Sequence, residues 1–255
     1  MERELLNAFP RVWYWIVSTV DKKAEITFMN YGYSNNGYRV ELHKRDEKNR
    51  YWAQLYHFVA TGADVEGKNL LEVGSGRGGG LSYINRYLSP GSATGLDLCN
   101  KAVEFCKAYY SGEKTSFFQG NAESLPFDDH SFDVVINVES SHRYFHVDKF
   151  LHEVYRVLKP GGRLLFTDFR QKEKIETLVQ HFSDSNFKIV KAENITENVL
   201  EALRLTTKDR EKFIRKLVPG FLQKLGMHFA ATEGTPTFNK FVRREFEYLY
   251  FVLEK

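Results

Sequence analysis

Cysteine is almost missing from this chain: its 255 residues carry two, Cys99 and Cys106. Seven positions apart, on what reads as one helix following a strand, they form neither a disulfide framework nor a zinc-ligand spacing. The chain therefore suits a reducing compartment, and a cytoplasmic location is expected. Net charge is also small, at +3. That argues against a dedicated nucleic-acid binder, because phosphate contacts draw on clustered Lys and Arg. The basic stretches at residues 208–216 and at Arg243-Arg244 are interleaved with acidic or apolar residues and read as solvated helix faces. No apolar run reaches bilayer length. Residues 5–20 come nearest, but Asn7, Pro10 and Arg11 interrupt them and the run is too short to span. They read as a cover over a substrate pocket, in preference to a segment lying on a membrane surface. No secretory signal, internal repeat or low-complexity linker is evident. No group of His and carboxylates has ligand spacing, so no metal is expected.

What the chain does have is apolar and aromatic bulk. Hydrophobic residues make up 42%, charged residues 27% and aromatics 15%, with 21 Phe and 14 Tyr. That is enough for a real core and suits a large apolar pocket. Residues 1–65 read as helices plus a loop, with a turn cluster over Met29-Asn30-Tyr31-Gly32-Tyr33-Ser34-Asn35-Asn36-Gly37. From residue 68 strands and helices alternate. Strands are expected at residues 69–73, 92–96, 115–119, 132–138, 163–168 and 187–193. Helices are expected at 80–88, 101–110, 147–158 and 172–183, the third stopped by Pro160-Gly161-Gly162. Such alternation implies a mainly parallel sheet covered on both faces. Residues 196–245 read as mostly helical, with a loop at 226–237, before a last strand at 246–255. An excursion of that length is more than a connection, and reads as a lid.

The chemistry starts at Leu70-Leu71-Glu72-Val73-Gly74-Ser75-Gly76-Arg77-Gly78-Gly79-Gly80. A strand enters a tight glycine turn and then a helix, whose N-terminal N–H groups can receive an anion. Dinucleotide-binding folds share that logic, but two carboxylates tilt the reading. Glu72, two positions before the first glycine, suits a positively charged amino end and would repel a pyrophosphate. Asp97 ends the next strand and can accept hydrogen bonds from both hydroxyls of a ribose. After the third strand, in Gln119-Gly120-Asn121-Ala122-Glu123-Ser124-Leu125-Pro126-Phe127, the Asn121 side chain can bond an adenine amino group and the Ala122 backbone the ring.

In this order, with Phe132-Asp133 and Leu158-Lys159-Pro160-Gly161-Gly162, these motifs resemble the class I S-adenosylmethionine-dependent methyltransferases over residues 68–170. The resemblance implies a Rossmann-like, doubly wound, mostly parallel seven-stranded α/β sheet in one methyltransferase domain. Residues 1–65 would form a helical cap, 66–195 the cofactor-binding core, 196–245 a lid and 246–255 the last strand. S-adenosylmethionine would be the cofactor and S-adenosylhomocysteine its product. Its expected contacts are Tyr33, Gln54, Glu72, Gly74, Ser75, Gly76, Gly78, Asp97, Leu98, Asn121, Ala122 and Glu139. Gln54 would bond the cofactor's carboxylate from a helix leading to the first strand. Tyr31 and Tyr33 either close over the cofactor or belong to the core.

The fourth strand runs into Asn137-Val138-Glu139-Ser140-Ser141-His142. It lacks the Asn/Asp-Pro-Pro-aromatic sequence carried here by enzymes that methylate amino groups of DNA bases. With Phe166-Thr167-Asp168-Phe169 it resembles small-molecule O- and C-methyltransferases. These include natural-product sugar and polyketide enzymes, and more closely the phthiotriolone/phenolphthiotriolone dimycocerosate methyltransferases, whose upstream stretch Met29–Tyr33 resembles. Sterol C-methyltransferases share parts of the pattern. Ligands in open α/β sheets bind beyond the carboxyl ends of the strands, where His142 and Asp168 are expected. A hydroxyl nucleophile needs its proton drawn away, which a near-neutral imidazole can do. Asp168 could hold the imidazole or the substrate hydroxyl. His146 is a weaker candidate base. The expected reaction is O-methylation of a hydroxylated apolar small molecule, a lipid or polyketide. Alternatives are C- or N-methylation of a small molecule, or a cofactor-binding protein without activity. No nucleic-acid partner or transmembrane segment is expected. Peripheral membrane contact and oligomeric state stay open.

Overall fold

Apolar strands alternating with amphipathic helices set the architecture. The computed structural model describes residue 21 and residues 24–255; the apolar stretch at residues 5–20 lies outside the described residues. In chain order the elements are α1 (Arg50–Ala60), β1 (Asn69–Val73), α2 (Gly79–Tyr87), β2 (Ser92–Asp97), α3 (Asn100–Tyr109), β3 (Thr115–Gln119), β4 (Phe132–Val138), α4 (Val147–Val157), β5 (Leu158–Gln171), α5 (Ile175–Asp184), β6 (Lys188–Asn194), α6 (Thr196–Leu217), α7 (Gly220–Phe229), α8 (Pro236–Val242) and β7 (Phe246–Glu254). The strands form one seven-stranded sheet in the order β3-β2-β1-β4-β5-β7-β6. All neighbours pair in parallel except β7, which runs antiparallel to β5 and β6. The fold is the Rossmann-like sheet the sequence implies.

β1 and β4 sit at the centre, paired Leu70 to Val134 and Glu72 to Ile136. Alternate side chains leave the sheet on opposite faces. Leu70, Ile136 and Leu165 pack with Leu55, Val59 and Leu81 on one face. Leu71, Val73 and Val135 pack with Phe150, Leu151 and Val154 of α4 on the other. Strands buried on both faces explain the near-continuous apolar runs. The chain leaves β1 toward β2 and later returns to β4 on the other side. That reversal opens a crevice beyond the carboxyl ends of β1 and β4, where the glycine turn and the segment leading to His142 both lie.

Several expected boundaries move. α4 ends at Val157 because Lys159 precedes Pro160, and a residue before proline disfavours helical backbone. The chain enters β5 at Leu158, which pairs with Phe132 before the register shifts. β5 also continues past Asp168 to Gln171, because β7 pairs with it from Arg163–Glu254 through to Gln171–Phe246. Asp168 therefore lies inside its strand instead of ending it. The loop expected at 226–237 is shorter: Gly226 lies in α7, and Thr235 starts α8, its hydroxyl accepting from Phe238 N with Pro236 in the first turn.

The contact between α1 and α2 is close enough to need a glycine. A Cβ on Gly80 would stand 1.9 Å from Cζ of Tyr56. Gly80→Ala is expected to cost about 1–3 kcal/mol of folding stability through overpacking, measured as a lower urea midpoint; an unchanged midpoint would refute this packing account.

Candidate active site

The glycine turn is fastened to β2. The amides of Gly74 and Ser75 both donate to Leu96 O, at 2.7 and 3.0 Å. Gly74, Gly76 and Gly78 take φ of +81°, +52° and +72°, a region that side chains disfavour. Gly74 also faces a close neighbour, since a Cβ there would lie 2.0 Å from Ser140 Oγ. At Gly76, among the described residues, only Met29 Sδ comes within 4 Å of such a Cβ, at 3.9 Å.

Around this turn, buried polar atoms lack partners. Glu72 is fully buried, and its Oε1 accepts from the Tyr56 hydroxyl at 2.7 Å. Among the described residues its Oε2 has no hydrogen-bond partner, and neither has Ser75 Oγ or Asn137 Oδ1. Burial, with the nearby Asp97 charge, pushes the Glu72 carboxyl up to about 8. Asp97 accepts from Gly76 N and Cys99 N, both at 2.8 Å, which leaves a further lone pair on each oxygen. These donors and acceptors fit S-adenosylmethionine. A buried, unpartnered carboxylate oxygen can take its ammonium group, the free lone pairs of Asp97 can take two ribose hydroxyls, and the open side of Gly76 admits the ligand.

The remaining expected cofactor residues divide. Ala122 is buried and Leu98, next to Asp97, is 64% exposed. Asn121 is exposed, with its Oδ1 accepting from Glu123 N at 3.0 Å. Gln54 does not join the turn: its amide donates to Tyr33 O at 3.0 Å and accepts from Arg50. Tyr33 stacks on Phe58 with centroids 4.5 Å apart and belongs to the core. Glu139, just after β4, adopts φ +46°. Its Oε1 accepts from Tyr31 N and the Tyr248 hydroxyl, both at 2.6 Å, so the carboxyl turns toward β7. Burial holds it at about 8.

His142 and Asp168 meet. Nδ1 of His142 lies 2.8 Å from Asp168 Oδ1, and the His142 amide donates to Oδ2 at 2.8 Å. The same carboxylate accepts from the Ser141 hydroxyl at 2.6 Å and from Phe169 N at 2.9 Å, and pairs with Arg170 at 3.0 Å. Burial alone would raise Asp168. The charges on His142 and Arg170 and these hydrogen bonds instead hold it well below the usual carboxylate range. An ionised acceptor at Nδ1 fixes the proton there, so Nε2 carries the lone pair. Nε2 has no partner among the described residues. Burial lowers the imidazole's pKa, only partly opposed by Asp168, so the ring is neutral and basic at neutral pH. Phe169 lies against it at 4.4 Å. His146 is exposed at the N-cap of α4, its amide on Glu123, and no carboxylate holds its ring.

Several site residues escaped the sequence reading. Arg77, inside the glycine turn, is 1% exposed. Its guanidinium donates to Ile26 O, Asp21 O and Asp21 Oδ2, and Gly79 N donates to Thr27 O. Residues 24–31 are thereby strapped across the turn. A charged side chain among five glycines was the available signal. Arg170 was legible as the i+2 neighbour of Asp168 on one strand face. Tyr248 was not, because nothing local gives the register of β7.

Glu72 and Glu139 make stability depend on pH. Unfolded, both release protons near the ordinary glutamate value of about 4.3; folded, both hold them to about 8. Between those values the folded state binds more protons, so raising the pH draws stability down. The burial-lowered imidazoles of His142 and His57 act in the opposite sense over part of this window, so the test is the difference: from about pH 5 to pH 8 the Tm of cofactor-free wild type is expected to fall relative to that of Glu72→Gln. A difference that does not change with pH would contradict it.

Comparison with known proteins agrees with this geometry. Residues 71–166 match a family model described as a methyltransferase domain. The chain is 38% identical over 226 residues to a phthiotriol/phenolphthiotriol dimycocerosates methyltransferase of Mycobacterium leprae, covering 88% of this chain and 84% of the relative. It is 40% identical over 203 residues to a fatty-acid O-methyltransferase of Mycolicibacterium smegmatis, covering 79% and 74%. Among solved structures, the cyclase SpnF superposes with a TM-score of 0.72 at 20% identity, covering 95% and 93%. The geranyl diphosphate C-methyltransferase of Streptomyces coelicolor A3(2), solved with S-adenosyl-L-homocysteine, gives 0.65 at 15% identity, covering 94% and 98%. These two likenesses show the fold alone, on which different reactions are built. The sequence relatives go further: the chain belongs to their family and is an S-adenosylmethionine-dependent methyltransferase.

Proposed function

We propose that the enzyme O-methylates a hydroxylated apolar small molecule of lipid or polyketide type, with His142 as general base and Asp168 as the residue that holds it. The observation that carries this reading is the His142–Asp168 pair: one ring nitrogen fixed on a buried carboxylate, the other unpartnered and basic. The lipid acceptors in the names of the two sequence relatives point the same way.

S-adenosylmethionine, when bound, supplies an electrophilic methyl group on its sulfonium and leaves as S-adenosylhomocysteine. The rest falls to the chain. Glu72 receives the ammonium end through Oε2, Asp97 receives the ribose hydroxyls, and Gly74, Ser75, Gly76 and Gly78 shape the turn around them. Leu98, Asn121 and Ala122 line the adenine side. His142 Nε2 takes the proton of the acceptor hydroxyl as the new carbon–oxygen bond forms. Asp168, ionised and buried, stabilises the imidazolium without taking the proton itself. Tyr31, stacked on Phe169 at 5.7 Å and donating its hydroxyl to Phe229 O, walls the side where the acceptor lies. α6, α7 and α8 serve as the lid, within one methyltransferase domain that works in a reducing cytoplasm.

Two measurements test this. Calorimetric titration with S-adenosylmethionine is expected to give binding that Asp97→Ala weakens by about tenfold or more, the worth of a charge-assisted hydrogen bond; undiminished affinity would remove Asp97 from the site. With an accepted hydroxyl substrate, His142→Ala is expected to lower kcat by about a hundredfold or more. For the wild type, kcat/KM should rise with pH along an acid limb below about 6.5, because burial lowers the imidazole's pKa and only the neutral ring is a base. A variant that keeps its rate would discard the base assignment.

A further inference from the structure

An apolar groove opens beside the strap, holding about 670 Å³ counted out to open solvent. Phe28, Met29, Trp52, Phe213, Ile214 and Phe229 line it, with Glu25, whose carboxylate accepts from Lys216 Nζ, at its rim, and among the described residues one cation, Arg210 of α6. Arg210 is 8% exposed. Its Nε donates to Thr206 Oγ1 at 2.8 Å and its Nη1 to Ala230 O at 3.3 Å. Nη2 donates to Asn30 O at 3.4 Å and Tyr31 O at 3.0 Å, and the guanidinium lies 5.2 Å over the Trp52 ring. Of five N–H donors, four have partners, and the second Nη1 hydrogen has none among the described residues. No described carboxylate pairs with it. Glu139 acts on it only through space, bonded to the amide of Tyr31 while Arg210 holds that residue's carbonyl.

A buried charge left without a counter-charge is unfavourable. Burial lowers the Arg210 pKa to about 10, so the cation persists at neutral pH. Carbonyl acceptors satisfy hydrogens and leave the charge uncompensated. An apolar groove that ends on such a cation is complementary to an amphipathic acid. A planar carboxylate would use the unpartnered Nη1 hydrogen and neutralise the charge, while its hydrocarbon chain covers the apolar wall.

We propose that Arg210 is an acceptor-recognition residue that binds the carboxylate of a long-chain acid in this groove. The inference rests on the apolar-acceptor reading above and narrows it to anionic amphiphiles. Tyr31 separates this end of the groove from the Phe169–His142 pair, so the carboxylate is an anchor and a hydroxyl elsewhere on the chain meets the base.

The test compares dodecanoate with dodecanol, binding to the S-adenosylhomocysteine-loaded protein by calorimetry, so no turnover is needed. Wild type is expected to bind dodecanoate about tenfold tighter or more. Arg210→Lys should keep part of the preference. Arg210→Met should lose it while binding dodecanol as wild type does, a control that separates a lost charge from a loosened strap. Equal affinity of the two probes for the wild type, or a preference surviving in Arg210→Met, overturns the assignment while the apolar acceptor stands. Binding of neither probe to the wild type overturns both.

Discussion

One carboxylate organises the reacting end of this molecule. Asp168 is fully buried, and a charge in that position is tolerated only with partners. It has five: the Ser141 hydroxyl, the amides of His142 and Phe169, the His142 ring and the Arg170 guanidinium. Three come from the turn after β4 and two from the next positions of its own strand. The ion therefore ties the turn leaving β4 to β5 just beyond their last paired residues, Val138 and Thr167. Ring orientation, tautomer and basicity of His142 all follow from this arrangement.

The other buried acids show how partner number decides protonation. Glu72 and Glu139 are as deeply placed, yet the Tyr56 hydroxyl is the one side-chain donor on Glu72, and Glu139 has a hydroxyl and an amide on one oxygen. Neither has a cation in contact among the described residues, and burial prevails, pushing both to about 8. A carboxyl in that condition gives up its proton when a cation comes within reach of it. Glu72 thus matches a cationic ligand, whereas Asp168, already neutralised from within, matches none. Three similar side chains on neighbouring strands thus differ in protonation through their surroundings alone.

The parts legible in sequence were those with local causes. β1, β2 and β4 are short apolar runs with fixed exits, so Glu72, Asp97 and the glycines fell where expected, and His142 and Asp168 came together because their strands are neighbours. The mainly parallel sheet followed from alternation. What was not legible depended on distant pairing. Gln54 looked like a polar residue facing a ligand, but it serves the carbonyl of Tyr33 across 21 positions. Glu139 was read with the cofactor because it sits between β4 and His142; its direction is set by Tyr248, 109 positions away on an antiparallel strand. The extent of β5 was misjudged for the same reason, since β7 and not local sequence decides where it ends.

The strap ties these levels together. Arg77 grips it from the glycine turn at Asp21 and Ile26, and Arg210 grips it from α6 at Asn30 and Tyr31. Between the two grips lies Met29, which stands over the open side of Gly76 and also lines the apolar groove. That thioether thus stands where the strap meets both the glycine turn and the apolar groove. Methionine adapts its shape at little energetic penalty, where a β-branched side chain would hold one shape.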